Sequence, residues 1–168
     1  AAAPRTAVWP QWQSPALTGF RPRPLSADFF LFLLMKVLRI IARLNVGGPA
    51  RHVVWLTSGL DDGEFESRLL AGTVPPGEED MGYFAEQNGV TPRYIAELSR
   101  ELSVKDAISL IKIYREMRTF GPDIVHTHTA KAGTVGRVAA LIYRWATWRT
   151  LIGRPRPIRV VHTFHGHV

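Results

Sequence analysis

The chain has 168 residues, 46% of them hydrophobic and 21% charged, and no cysteine. That is enough for one domain with a real core, and it excludes a disulfide framework, a thiolate metal site and a cysteine nucleophile. The net charge is +7, and its excess is local: residues 35–123 carry eleven Lys/Arg against thirteen Asp/Glu, whereas residues 124–168 carry seven Lys/Arg and no acid, so that end is either a solvated surface or an attractor of phosphate, acidic lipid or nucleic acid.

Residues 1–34 read differently from the rest. Pro4, Pro10, Pro15, Pro22 and Pro24 interrupt any period, and proline breaks helices and central strands. We expect the natural start at Met35, with 1–34 a disordered or wrongly translated leader. The competing reading is a signal peptide, with Arg21 and Arg23 ahead of the apolar run 29–34. No A-x-A-like site follows that run, and it is far short of the roughly 20 residues of a membrane span.

From Met35 strand and helix patterns alternate. Residues 36–42 form a continuous apolar run, as in a strand covered on both faces. Asn45-Val46-Gly47-Gly48 is a turn, and Pro49 suits the first position of a helix over 50–60. A second strand is expected over 65–71, a loop over 72–80, a short helix over 81–88, and a weak third strand within 90–98, interrupted by Pro92. Ser103 is a plausible N-cap for a helix whose apolar positions are Ala107, Leu110, Ile111, Tyr114 and Met117, ended by Gly121-Pro122. A strand over 123–129, a helix over 131–148 and a strand over 158–164 complete the order. Such alternation implies an α/β fold, a Rossmann-like parallel sheet flanked by helices.

Ligands of open parallel sheets bind outside the carboxyl ends of the strands. After the first strand stands Gly47-Gly48, where bare backbone N–H groups at a helix amino terminus suit a phosphate; taken alone, the pair describes a tight turn. It is not a G-x-G-x-x-G fingerprint. After the fourth strand stands His126-Thr127-His128-Thr129-Ala130-Lys131-Ala132-Gly133, with the two histidines on one face of the strand. After the last stands His162-Thr163-Phe164-His165-Gly166-His167. Five of six histidines therefore lie at two strand ends that should share a rim. Histidine clusters raise metal binding, but such sites usually add a carboxylate and residues 124–168 have none, so no metal is expected. Hydrogen bonding and acid/base work among hydroxyls and phosphates fit better. The stretch 143–149, with Trp145, Trp148 and neighbouring arginines, reads first as a helix with buried tryptophans and a solvated Arg face, ahead of a membrane surface and of nucleic acid.

The segments 43–53, 123–133 and 161–167 together, in order, strongly resemble family-4 retaining glycosyltransferases of the GT-B fold. The resemblance implies the amino-terminal, acceptor-side domain (35–168) of a two-domain enzyme whose donor-binding domain would follow Val168. It implies that Gly47 and Gly48 close over the donor diphosphate, that His165 lies by the transferring sugar, and that His128, Lys131 and Gly133 line the acceptor side. It further implies no cofactor and no metal, a nucleotide-diphosphate sugar as substrate, and a cell-envelope glycan or glycolipid acceptor. The setting would be cytoplasmic, peripheral at the inner face of the membrane, without nucleic acid. A metal-dependent hydrolase using the histidines and a non-catalytic glycan- or acidic-surface-binding domain are the other classes to separate.

Overall fold

The structure, a computed structural model, describes residues 34–61, 63–98 and 105–165; the leader up to residue 33, the Ser103 cap, and Gly166 and His167 lie outside them. The apolar run becomes the central strand β1 (Met35–Ile41). Leu38 and Ile40 face one helix layer and Ile41 the other, which is why no polar alternation marks the segment. Among the described residues four more strands join it: β2 (Phe65–Gly72), β3 (Arg93–Ile95), β4 (Ile124–His128) and β5 (Arg159–Thr163). All pairs are parallel, in the order β3-β2-β1-β4-β5.

Helices α1 (Gly48–Gly59), α2 (Gly82–Gln87), α3 (Lys105–Phe120) and α4 (Ala130–Trp145) lie two to a face. On one face α1 and α2 bury Val53, Val54 and Ala85 against Ile41, Leu69 and Ala71. On the other α3 and α4 bury Ile113, Met117, Val135 and Ala139 against Leu38, Ile40, Leu70 and Val125. The fold is the expected α/β, Rossmann-like parallel sheet between helices.

Local expectations fail where packing, not period, decides. The weak third strand shrinks to three residues and begins just after Pro92, which has no N–H to give a ladder. On α3 the buried row is Ser109, Ile113, Met117 and Phe120, while Ala107 and Ile111 are exposed. The helix is turned so that its 109–113–117 row meets α4 and the sheet. The helix expected over 131–148 stops at Trp145, where Ala146 leaves helical geometry with ψ 63°. The Arg156 guanidinium donates to the freed carbonyl oxygens of Tyr143 and Ala146, as basic groups do at helix carboxyl ends. A 3-10 turn (Trp148–Ile152) follows and closes on Gly153 in the left-handed region. The tryptophans expected to be buried are not: Trp145 is 49% and Trp148 71% exposed. Helical spacing from Ala132 through Gly136 and Ala139 puts Tyr143 on the buried row instead.

Candidate functional site at the switch of the sheet

Strand order reverses between β1 and β4. The chain leaves β1 toward β2 and leaves β4 toward β5, opening a crevice at their carboxyl ends. The β1–α1 loop on one lip is braced by the β2–α2 loop. Arg43 Nη1 holds both carboxylate oxygens of Glu78 at 2.6 and 2.7 Å, Val46 N–H donates to Glu79 O, and Met81 N–H donates to Leu44 O at 2.7 Å. This fixes the Gly47-Gly48 turn against the sheet. α1 then opens with no side-chain cap and no acid in its first turn. α4 opens the same way directly after β4. Two helix amino termini thus aim N–H groups that no described side chain caps, and partial positive charge, at one crevice. Thr129, between His128 and α4, has a φ of 69°, a conformation that costs a non-glycine residue about 1–3 kcal/mol and concentrates at functional sites. Its buried Oγ1 has no hydrogen-bond partner among the described residues.

The imidazoles meet at this crevice. His126 and His128 share a face of β4, their ring centroids 4.1 Å apart. Strand register sets His128 beside Thr163, and the chain just beyond brings His165 Nε2 to 3.1 Å from His128 Nδ1, with the rings stacked. His126 Nε2 lies 2.8 Å from Thr163 Oγ1. His52, missed in the sequence reading, completes the group from α1 with its ring 5.8 Å from His128 and 5.5 Å from His165. The available signal was its place one helical turn after Gly48, above the same loop.

Other expected residues take different positions. His162 faces the opposite side of the sheet: its Nδ1 meets Thr127 Oγ1 at 2.9 Å, and its ring fills the space where a side chain on Gly133 would lie. Gly133 is therefore a packing glycine beside the crevice. Lys131 is buried, its Nζ 2.8 Å from Asp106 Oδ1. It ties the start of α4 to the start of α3 and is not an open cation facing the acceptor side. A cavity of about 530 Å³ lined by Thr57, Ser67, Arg68 and Arg93 lies at the other end of the strands, away from the histidines and the Gly47-Gly48 turn.

Burial keeps the inner imidazoles neutral. His128 is pushed down to about 2 by burial first and then by its histidine neighbours and Arg39. His126 is lowered to about 4, again by burial first and then by Arg39, the fully buried guanidinium opposite it on β1. His165 is lowered by burial, His52 and His162. The sign for stability follows. An unfolded histidine takes a proton near pH 6.5, but folded His126 and His128 do so only far lower, so stability present above pH 6.5 is lost as pH falls. His128 alone should cost on the order of 1 kcal/mol per pH unit below 6.5; half-buried His126 contributes less because solvent screens it. Urea midpoints at pH 7.5, 6 and 5 test this. A flat profile would refute the buried neutral state, and His128→Asn should flatten the slope.

Fold and rim together define a Rossmann-like α/β unit with an anion-ready, imidazole-lined crevice at its switch point. The family model described as Glycosyltransferase Family 4 matches residues 46–168, and the chain belongs to that family. A 74-residue stretch is 40% identical to the UDP-Gal:alpha-D-GlcNAc-diphosphoundecaprenol alpha-1,3-galactosyltransferase of Escherichia coli; it covers 44% of this chain and 16% of that protein. The fold is similar to a crystal structure of Acinetobacter baumannii MurG, with a TM-score of 0.51 and 16% identity over 77% of this chain and 35% of that one. A UDP-N-acetylglucosamine 2-epimerase structure matches with the same TM-score at 14% identity, over 77% of this chain and 33% of that one. The chain thus spans about a sixth of the curated relative's length and about a third of each structure's.

Proposed function

We propose that this domain forms the acceptor-side wall of a retaining glycosyltransferase that moves a sugar from a nucleotide diphosphate to a cell-envelope glycan or glycolipid. One observation carries the reading: the uncapped Gly47-Gly48 turn stands at the same crevice as His165, whose ring is backed by the buried His128. In this reading the N–H groups at Gly48 and at the start of α1 stabilise the departing diphosphate, with no side chain in the way. His165 stands beside the transferring sugar. His128, fully buried behind it and held neutral, accepts or donates one hydrogen bond to fix the His165 tautomer, so that it acts on the acceptor side only through His165. Lys131 and Gly133 act there indirectly, by holding α4 and His162 in place. No cofactor or metal takes part.

The Escherichia coli relative's printed acceptor is a diphosphoundecaprenol, and the basic carboxyl-terminal segment is consistent with a related, lipid-linked acceptor and a peripheral position at the inner face of the membrane. Among the described residues no helix is long and apolar enough to cross a membrane. In a transfer-competent enzyme carrying this domain, His165→Ala should lower turnover by about 10²-fold or more while leaving donor affinity within about twofold, since removing a group that acts mainly in the transition state lowers kcat rather than binding. Unchanged turnover would remove His165 from the reaction.

A second reading has one observation in its favour. His52, His128 and His165 each offer a ring nitrogen within 4.8 Å of the others, and neutral imidazoles are zinc ligands, as a metal-dependent hydrolase would need. The group contains no carboxylate to serve as ligand or base. Metal analysis of purified protein separates the two readings, because stoichiometric zinc would favour the hydrolase.

A further inference from the structure

We propose that the 3-10 tip between α4 and β5 docks the protein onto an anionic lipid bilayer. This rests on the peripheral-membrane part of the reading above and is independent of the transfer chemistry. Trp145, Trp148, Leu151 and Ile152 are all exposed within eight residues, and Leu151, at the apex, is 89% exposed. Water is a poor solvent for such a cluster, and exposed apolar patches mark interaction surfaces. Arg144, Arg149 and Arg154 are exposed around it, and residues 124–168 contain no acid to neutralise them.

The tip is built, not frayed. Thr150 Oγ1 donates to Trp145 O at 2.7 Å, Gly153 N–H donates to Thr150 O and Arg154 N–H to Arg149 O, both at 2.9 Å, and Arg156 caps the end of α4. The apolar side chains are therefore presented without an ordering cost at docking. The chemistry selects the partner. Tryptophan favours the headgroup level of a bilayer, aliphatic side chains enter the acyl boundary, and arginines near the surface are drawn to anionic headgroups. A protruding apolar apex ringed by cations suits a fluid surface that conforms to it, whereas a protein partner would need a matching pocket. The tip lies at the opposite end of α4 from His128, about 24 Å away at 1.5 Å per residue, so docking leaves the crevice open.

The test is co-sedimentation of the full 168-residue chain with phosphatidylcholine vesicles made with and without phosphatidylglycerol. Binding is expected only with phosphatidylglycerol, and weaker at high salt. Trp148→Ser combined with Leu151→Ser should lower partitioning about tenfold or more, and Arg149→Gln with Arg154→Gln should remove most of the salt-sensitive part. These side chains are in solvent, so circular dichroism should be unchanged. Binding that survives both double variants would overturn the tip while leaving a membrane location standing. No binding to any vesicle would overturn both. Capture by polyglutamate with no vesicle binding would assign the tip to an acidic protein and overturn the proposal.

Discussion

Replacing Gly72 with alanine is expected to unfold the protein. Gly72 is the last residue of β2, where the backbones leaving β1 and β3 close in on it. A Cβ there would lie 1.8 Å from Leu98 O and 2.1 Å from Ala42 O. Both atoms are main-chain carbonyls, so no rotamer change relieves the clash. Leu98 is fully buried, and its N–H is committed to Ile95 O. Ala42 leads straight into the loop that carries Gly47. Making room means separating strand ends, and we expect a loss of about 4 kcal/mol or more, in the range reserved for severe core disruption. Set against a typical total of about 5–15 kcal/mol, that leaves little or no folded protein at 37 °C. Urea denaturation measures it. Gly59→Ala is the control: it lies in α1 with nothing near its missing side chain, so it should stabilise by about 0.5–1 kcal/mol through helix propensity. A Gly72→Ala protein within 1 kcal/mol of the parent would show that the strand ends do not pack this way.

Gly47→Val should act in the opposite manner, abolishing transfer while leaving the fold intact. Gly47 has extended backbone, φ 160° and ψ 171°, which valine adopts readily. The nearest atom to an added Cβ is Pro49 Cδ at 3.6 Å, an ordinary contact. Stability should therefore change by no more than about 0.5 kcal/mol, as for surface substitutions away from special features. Under the proposed reading, the new side chain occupies the space through which a diphosphate reaches the N–H groups at the start of α1. Losing one such preorganised donor set costs about 10²–10³-fold in turnover, and exclusion of the donor itself would cost more. The measurement is transfer activity in an enzyme carrying the complete donor-binding half, alongside the melting temperature of the same variant. Normal activity with normal melting would take Gly47 out of the diphosphate site. Loss of both together would make the turn structural.

The contrast between the two glycines shows how far sequence reading reaches. Gly47 stood out because it adjoins a proline-started helix after an apolar strand, all within seven residues. Gly72 gave no such signal. Its constraint comes from Ala42 and Leu98, both more than twenty residues away in the chain, and only the parallel pairing of β1, β2 and β3 brings their carbonyls to it. The histidines divide along the same line. That His126 and His128 share a face follows from the two-residue period of a strand. That His162 turns to the other face, and that His165 rather than His162 meets His128, depends on β5 pairing with Thr163 beside His128. A shift of one residue would have reversed both.

What the sequence determined by itself is therefore what short-range periodicity encodes: alternating strands and helices, a parallel Rossmann-like sheet, a bare glycine turn after β1, and histidines gathered at two strand ends. What only the tertiary structure decided is which side chains face the crevice. His52 joined the group from α1, one helical turn after Gly48. Lys131, polar and near the rim, was drawn inward because Asp106 on α3 lies 2.8 Å from its Nζ. Trp145 turned outward because Tyr143 holds the buried row of α4, and Trp148 because α4 has ended before it. Each outcome is set by strand register or by how two helices meet, and those depend on contacts between segments distant along the chain, which no local window of sequence contains.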